Sequence, residues 1–226
     1  GGTGSIVYEW LSSTNGTTFT TISGANSATY SPGTISVNTY FKRGASTPND
    51  ASVYTSAILI TVQSSVGGTI AGSAAVCAGT NSTVLTLSGY TGSVTRWQSA
   101  LAADFSGTVT NINSVSTSIT ETNLTATKYY RAVVRVGVCA ASNSATATIT
   151  VNALPVISIS PSATSITSGS SVTLSASGAS TYSWTPSTGL SATNTATVVA
   201  SPTVTRTYTV TGLSASGCSS TASVTV

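Results

Sequence analysis

The stretch SVTRWQ (Ser93–Gln98) holds the middle one of three tryptophans in a chain of 226 residues. Trp10 lies 87 residues before Trp97, and Trp184 lies 87 residues after it. A short run of similar, mostly strand-favouring residues precedes each of the three. Equal spacing of the largest apolar side chain indicates an internal repeat. We therefore predict three tandem units of one kind, each built around one buried tryptophan.

The composition and the turn residues around the tryptophans favour strands. Only 11 residues are charged (7 Lys and Arg, 4 Asp and Glu), while Thr, Val, Ile and Tyr are frequent. Alternating runs such as Val84–Leu87 and Ala57–Val62 are separated by turn signals, among them the hairpin pair Asn15-Gly16. We predict an all-β fold of three tandem antiparallel β-sandwich domains in an extended rod, at residues 1–63, 64–152 and 153–226.

The core of each unit is expected to rest on one tryptophan and one later tyrosine. Burying one such aromatic side chain removes roughly 150–250 Å² from water, a gross gain of about 4–6 kcal/mol. That gain is comparable to the net stability of a small domain, about 5–15 kcal/mol. The predicted core anchors are Trp10 with Tyr40, Trp97 with Tyr129 (or its neighbour Tyr130), and Trp184 with Tyr208.

The cysteines predict one disulfide. Cys77 and Cys139 fall in the same unit, one at its first strand and the other before its last strand. A bond between them implies an oxidising compartment. Cys218 occupies the position equivalent to Cys139, but the position of its expected partner is Thr167. We therefore expect Cys218 to be unpaired, either as a buried free thiol or as a cross-link to another chain.

Several classes of function are disfavoured by what the sequence lacks. The chain has no histidine, which excludes a histidine-based catalytic triad or metal site. Its four carboxylates are spread along the chain, so we expect no catalytic site, no metal and no cofactor. A net charge of +3 is too small to indicate a nucleic-acid partner. No apolar run approaches 18 residues, so we expect no membrane insertion.

A group of basic residues recurs on equivalent predicted strands. Two interpretations stay open: a solvated outer face that keeps the protein soluble, or a contact for an anionic polysaccharide. The residues are Lys42, Arg43, Lys128, Arg131 and Arg135.

The first unit is short at its front. Thirty-three residues of the second unit precede Trp97, but only nine residues precede Trp10. The difference corresponds to two opening strands, without which the unit would expose strand edges and part of its core. Either a longer array has been cut, or a strand from a neighbouring chain completes the unit. The stretch Gly1–Gly4 is no signal peptide, so we expect a signal that has been removed, a longer parent chain, or both.

Two groups of motifs resemble a known class of repeats. The stretches YEWLSSTNGTTF (Tyr8–Phe19) and ATYSPG (Ala28–Gly33) resemble Ig-like repeats of very large secreted surface proteins of Bacteroidetes-type bacteria. The stretches YSWTPSTGL (Tyr182–Leu190) and SGCSSTA (Ser216–Ala222) resemble a second, PKD-like version. The resemblance implies Ig-like sandwiches and export by the gliding-associated type 9 pathway. Thr167, in place of a cysteine, and the short first unit depart from the pattern.

We accordingly expect a non-catalytic extracellular protein, a structural or adhesive repeat segment of a cell-surface adhesin or fibre that could polymerise by strand complementation. Its expected partners are other copies of itself or adjacent repeats, and surface polysaccharide is a further candidate. The alternative is an accessory module, carbohydrate-binding or spacer, of a secreted polysaccharide-degrading enzyme. A lectin-like module is a third reading. The flanking gene sequence would discriminate between the first two.

Overall fold

The computed structural model describes residues 4–161 and 165–226, and the regular secondary structure in those ranges consists of β-strands. The chain divides into two compact units, Gly1–Ser64 and Ser65–Val226. Neither unit, in the part that is described, contains a helix long and apolar enough to cross a membrane.

All strands in the described part of the first unit belong to one antiparallel sheet. Its order is β2-β1-β3-β4, and β5 also pairs with β3. The register places Trp10 opposite Arg43 and Phe41 opposite Ile58. Because paired residues point to the same side of a sheet, these four side chains share one face. The strands are β1 (Val7–Ser13), β2 (Thr20–Thr21), β3 (Thr39–Ser46), β4 (Val53–Tyr54) and β5 (Ile58–Ile60).

The second unit begins with a sandwich of two sheets, here called the middle sandwich. One sheet has the order β10-β9-β12-β14-β7, with β13 also paired to β12, and the other has the order β11-β8-β6. Trp97, Leu85 and Tyr130 are completely buried in the core between them. The strands are β6 (Thr69–Ala71), β7 (Ala74–Cys77), β8 (Ser82–Ser88), β9 (Ser93–Ala100), β10 (Val109–Ile112), β11 (Ser118–Thr122), β12 (Lys128–Arg135), β13 (Ser142–Asn143) and β14 (Ala147–Asn152).

The same unit ends with a second sandwich, here called the C-terminal sandwich. Its two sheets have the orders β15-β16-β18 and β17-β19-β20. Trp184, Tyr208 and Leu174 are fully buried in its separate hydrophobic core. The strands are β15 (Ser158–Ser160), β16 (Val172–Ser177), β17 (Thr181–Thr185), β18 (Thr197–Ala200), β19 (Thr207–Leu213) and β20 (Ser219–Thr225).

The tryptophan repeat has a structural counterpart in the strand pairing. Each tryptophan strand pairs antiparallel with a later strand of its own repeat, placing Trp97 opposite Ala132 and Trp184 opposite Val210, as Trp10 is opposite Arg43. The all-β prediction is confirmed, and the sandwiches are arranged in tandem.

Among the predicted tyrosine anchors, Tyr40 is wrong by one residue, and of the two candidates Tyr129 and Tyr130 it is Tyr130 that lies in the core. Tyr40 and Tyr129 are half-buried, and the neighbouring residues Phe41 and Tyr130 are the buried ones. Successive residues of a strand point to opposite faces, so a shift of one position exchanges core and surface. In the C-terminal sandwich, Tyr208 itself lies in the core.

The predicted disulfide is also wrong, because Cys77 is bonded to Cys218 and not to Cys139, with 5.5 Å between the two Cα atoms. Strand β7 runs parallel to β14, so Cys77 at its end lies beside Asn152, the last residue of β14. Cys139 follows β12, which runs antiparallel to β14, and it therefore lies towards the opposite end of that sheet. Eight residues of strand separate the two ends of β12, roughly 25 Å, beyond the reach of a disulfide.

Cys218 is thus neither a free thiol nor a link to another chain. It directly precedes β20 and ends a tight turn in which Ser214 N–H donates to the Cys218 carbonyl at 2.8 Å. Gly217 has a φ of +81° there, a conformation that glycine adopts without strain. The turn brings the Cys218 sulfur to 3.9 Å from the Asn152 carbonyl, at the end of the middle sandwich. The disulfide therefore joins two consecutive sandwiches.

Candidate binding surface

The four carboxylates are each engaged by a nearby donor. Tyr54 donates its hydroxyl hydrogen to Glu9 Oε1 at 2.9 Å, and Tyr130 donates to Glu121 Oε2 at 3.0 Å. The remaining two, Asp50 and Asp104, accept hydrogen bonds from Thr47 and from the Ser106 backbone.

Hydrogen bonds shift the pKa of one of these carboxyl groups and of one of the donors. The Ser106 hydrogen bonds lower the pKa of Asp104, and the hydrogen bond to Glu9 raises the pKa of Tyr54. Within residues 4–161 and 165–226, no group of three His, Cys, Asp or Glu side chains is close enough to hold a metal ion.

The basic residues predicted to contact a polyanion fall on different faces and in different units. Lys42 and Arg43 are neighbours on β3 and therefore point to opposite sides of the sheet. The Lys42 ammonium lies 4.2 Å from the centre of the Phe19 ring, and the Arg43 guanidinium lies 5.0 Å from that of Tyr8. Both cations are thus used in cation–π contacts within the first unit.

Arg131 has the same kind of partner in the middle sandwich. Its guanidinium lies 4.1 Å from the centre of the Phe105 ring, and its Nε donates to Gln98 Oε1 at 2.8 Å. Lys128 is half-buried at the start of the same strand and Arg135 is exposed at its end. The three basic residues of β12 therefore differ in exposure and in the contacts that they make.

The sequence reasoning missed the aromatic partners of these cations. Lys42 and Arg131 occupy equivalent positions, and each lies over a phenylalanine that comes shortly after the tryptophan strand, Phe19 and Phe105. The available signal was the recurrence of a phenylalanine eight or nine residues after Trp97 or Trp10.

The indole N–H groups have equivalent partners in all three repeats. Trp10 donates to the Ser27 carbonyl at 3.0 Å, Trp97 to the Ser116 carbonyl at 2.9 Å and Trp184 to the Thr195 carbonyl at 2.9 Å. Each acceptor begins a short segment that packs over the tryptophan face of the sheet. We call it the crossing segment, residues 27–30, 116–119 and 195–198 in the three repeats. These bonds fasten the crossing segment to the sheet.

The tryptophan face of the first unit is open, in contrast to that of the middle sandwich. Ile58 and Ile60 on β5 are 68% and 37% exposed. Their equivalents 89 residues later on β14, Ala147 and Ile149, are 1% and 0% exposed. Trp10 is half-buried, whereas Trp97 is completely buried.

A groove of about 300 Å³ lies on this open face. Tyr30 partly covers it, with its ring centre 5.7 Å from that of Trp10 and 6.0 Å from that of Phe41. Arg43, the one charged residue among the described residues that line the groove, donates to the Ala28 carbonyl at 2.7 Å. The rest of the lining is mainly apolar, so the groove suits an apolar occupant.

A family model, described as a domain of unknown function (DUF8696), matches residues 1–64 and 66–153. These matches cover more than half of the chain. The chain belongs to this family. The two matched stretches contain the first unit and the middle sandwich, and residues 154–226 lie outside the match. No curated protein matches the chain.

Several solved structures are similar to the chain at low sequence identity. One concerns host cell surface retention of a 1.5-MDa bacterial ice-binding adhesin (TM-score 0.42, 10% identity, 100% of this chain and 86% of that one). Another contains fibronectin(III)-like modules of CbhA from Clostridium thermocellum (TM-score 0.30, 9% identity, 69% of this chain and 92% of that one). A third contains the N-terminal four Ig domains of Dscam1 (TM-score 0.32, 10% identity, 83% of this chain and 53% of that one). The chain thus spans little more than half of that structure.

Proposed function

We propose that this protein is a non-catalytic structural or adhesive segment that works outside the cell. The observation that carries the proposal is the disulfide between Cys77 and Cys218, which fastens two consecutive sandwiches covalently. Such a bond persists in an oxidising, extracellular-type compartment. A link between domains resists separation of the domains under load, which is useful to a spacer or a fibre and has no evident use in catalysis.

The ionisable side chains support the same proposal. The carboxylates of Glu9 and Glu121 accept tyrosine hydroxyls, and the cations of Lys42 and Arg131 lie over phenylalanine rings. These contacts lie within the first unit and within the middle sandwich, and they engage groups that a catalytic site would need to leave free. The finer proposal is a rod-like repeat of a long surface adhesin or fibre of a Bacteroidetes-type bacterium, exported by the type 9 pathway. Its partners are adjacent repeats or other copies of itself, which could assemble by strand complementation.

Labelling of intact cells that produce the full-length protein tests this function. An impermeant amine reagent, followed by isolation of the protein, should label the half-buried lysines Lys42 and Lys128 before the cells are broken. A cytoplasmic protein in the same sample serves as the negative control. Labelling only after lysis would contradict the proposal. Covalent continuity with a polysaccharide-degrading catalytic domain would favour the alternative, an accessory enzyme module.

A further inference from the structure

We infer that the open face of the first unit binds an uncharged, extended peptide strand with leucine-type side chains at alternating positions. The inference deepens the proposed function and rests on it only for the biological setting. The open face comprises Trp10, Phe41, Arg43, Ile58 and Ile60 together with Tyr30, which lies over it. The middle sandwich shows what covers the equivalent face, because the two belong to the same internal repeat.

The cover in the middle sandwich is strand β8. Leu85 and Leu87, two residues apart on β8, are 0% and 4% exposed and belong to the same core cluster as Trp97. Val84, the residue before Leu85, points to the opposite face of β8 and is exposed. No residue of Ser82–Ser88 carries a charge. A leucine-bearing strand of this kind therefore fits the equivalent, open face of the first unit.

A second observation concerns the segment that crosses the face. In the middle sandwich, Ile119 lies three residues after the indole acceptor Ser116 and pairs with Leu85 in the β11–β8 ladder. In the first unit, Tyr30 lies three residues after the indole acceptor Ser27, but residues 28–38 are not part of a strand. The segment is therefore a strand in the middle sandwich, where it pairs with β8, and irregular in the first unit, where none of the described strands pairs with it.

The charge on the face argues against a second copy of the same face as the occupant. A symmetric dimer places the same patch of both chains in contact. Two Arg43 guanidinium groups would then meet across an apolar interface without a carboxylate among the groove-lining residues to offset them. An uncharged strand of the β8 type avoids this repulsion and leaves the Arg43 bond to the Ala28 carbonyl intact.

A peptide with the sequence of residues 80–90, added to the full chain, tests the inference. The emission of Trp10 should shift to shorter wavelength on binding, because Trp97 and Trp184 are already buried. A chain with Trp10→Phe, which should lose the spectral change, identifies the reporter. Ile58→Thr should weaken binding roughly tenfold, whereas Leu59→Thr, on the opposite face of β5, should leave it within about twofold.

The peptide itself supplies a second matched comparison. Replacing Leu85 and Leu87 by serine should abolish binding, and replacing Val84 by serine should not. Because a single strand binds weakly, the peptide is also fused to the N-terminus through a flexible linker, which raises its effective concentration. Amides of the segment around Tyr30 should then exchange more slowly with solvent by at least tenfold.

The inference is overturned if neither the free nor the fused peptide affects Trp10 and the amides near Tyr30. It is also overturned if Leu59→Thr weakens binding as much as Ile58→Thr. Sedimentation that shows a dimer of the chain, abolished by Ile58→Thr, would identify a second copy as the occupant instead. Each of these results leaves the cell-labelling test of the proposed function unaffected, so the two proposals fail separately.

Discussion

At the scale of single residues, the three tryptophans play one role under different degrees of cover. Each indole N–H donates to a backbone carbonyl of the crossing segment, so its polar atom is satisfied even where the ring is buried. Trp97 and Trp184 are surrounded by two sheets, whereas Trp10 is covered on one side by Tyr30. The same residue therefore contributes unequally to stability in the three repeats.

Truncation of Trp97 should be far more damaging than truncation of Trp10. We expect Trp97→Ala to lower the free energy of unfolding of the middle sandwich by about 3–5 kcal/mol. Trp10→Ala should lower the free energy of unfolding of the first unit by about half of that or less. Trp10 is half-buried in the folded protein, so unfolding exposes less additional apolar surface. Calorimetry of both variants, with the transitions assigned to each part of the chain, makes the comparison. Equal losses would contradict it.

A buried tyrosine makes the middle sandwich sensitive to alkali. Burial raises the pKa of Tyr130, and the nearby Glu121 carboxylate raises it further. The unfolded chain releases this proton near pH 10, while the folded chain retains it to higher pH. The contribution of protonated Tyr130 to the stability of the middle sandwich is therefore fully present below about pH 10. It decreases as the pH rises above that value.

Urea unfolding of the middle sandwich at about pH 8, 10 and 11 measures this dependence. The wild-type midpoint should fall with rising pH. Tyr130→Phe, which has no hydroxyl to titrate, should lower the midpoint at pH 8 because the hydrogen bond to Glu121 is lost. The variant should then show a smaller fall at high pH. An undiminished fall in Tyr130→Phe would show that other groups cause the sensitivity.

At the scale of elements, the turn between β19 and β20 decides how the two sandwiches of the second unit are joined. Ser214 Oγ accepts from the Cys218 backbone N–H at 3.1 Å, which shapes the turn that presents the cysteine. On the other side, the parallel pairing of β7 with β14 places Cys77 beside Asn152. The bond thus forms between two strand ends that belong to different sandwiches.

Mass spectrometry of unreduced peptides should find Cys77 linked to Cys218. The variant Cys139→Ser provides the control and should keep that link. The double replacement Cys77→Ser with Cys218→Ser should lower the stability of the second unit by about 2–5 kcal/mol, because a closed loop of 141 residues no longer restricts the unfolded chain. A peptide that joins Cys77 to Cys139 would overturn the pairing.

At the scale of the whole molecule, the disulfide changes the path that a pulling force takes along the chain. Tension applied to the two chain ends passes from Cys77 to Cys218 through the sulfur atoms, so the residues between them are not extended. Two sandwich cores, those around Trp97 and Trp184, lie mostly within this closed loop. A segment built in this way keeps most of its length fixed under load, as a spacer or fibre requires.

Single-molecule extension of the chain measures this effect. The oxidised protein should reach a contour length roughly 450–500 Å shorter than the Cys77→Ser, Cys218→Ser variant, since 141 residues at about 3.3–3.6 Å each are withheld. Reduction of the wild-type protein should abolish the difference, because the 141 residues can then be extended. Equal lengths before and after reduction would show that the disulfide does not carry the load.

The sequence by itself determined the repeat, the all-β class and the absence of histidine chemistry. These follow from the spacing of Trp10, Trp97 and Trp184, from strand-favouring residues and from composition, all of which are local or countable properties. The spacing also located the short front of the first unit. Such features do not depend on which strands become neighbours in space.

Only the tertiary structure decided the strand register, the disulfide partner and the open face. A shift of one residue exchanges Tyr129 for Tyr130 in the core, and propensity does not distinguish the two. Cys77 and Cys218 are 141 residues apart and meet because β7 lies parallel to β14 and a later turn reaches its end. Contacts between distant parts of the chain are set by packing, and a sequence pattern that repeats locally carries no information about them.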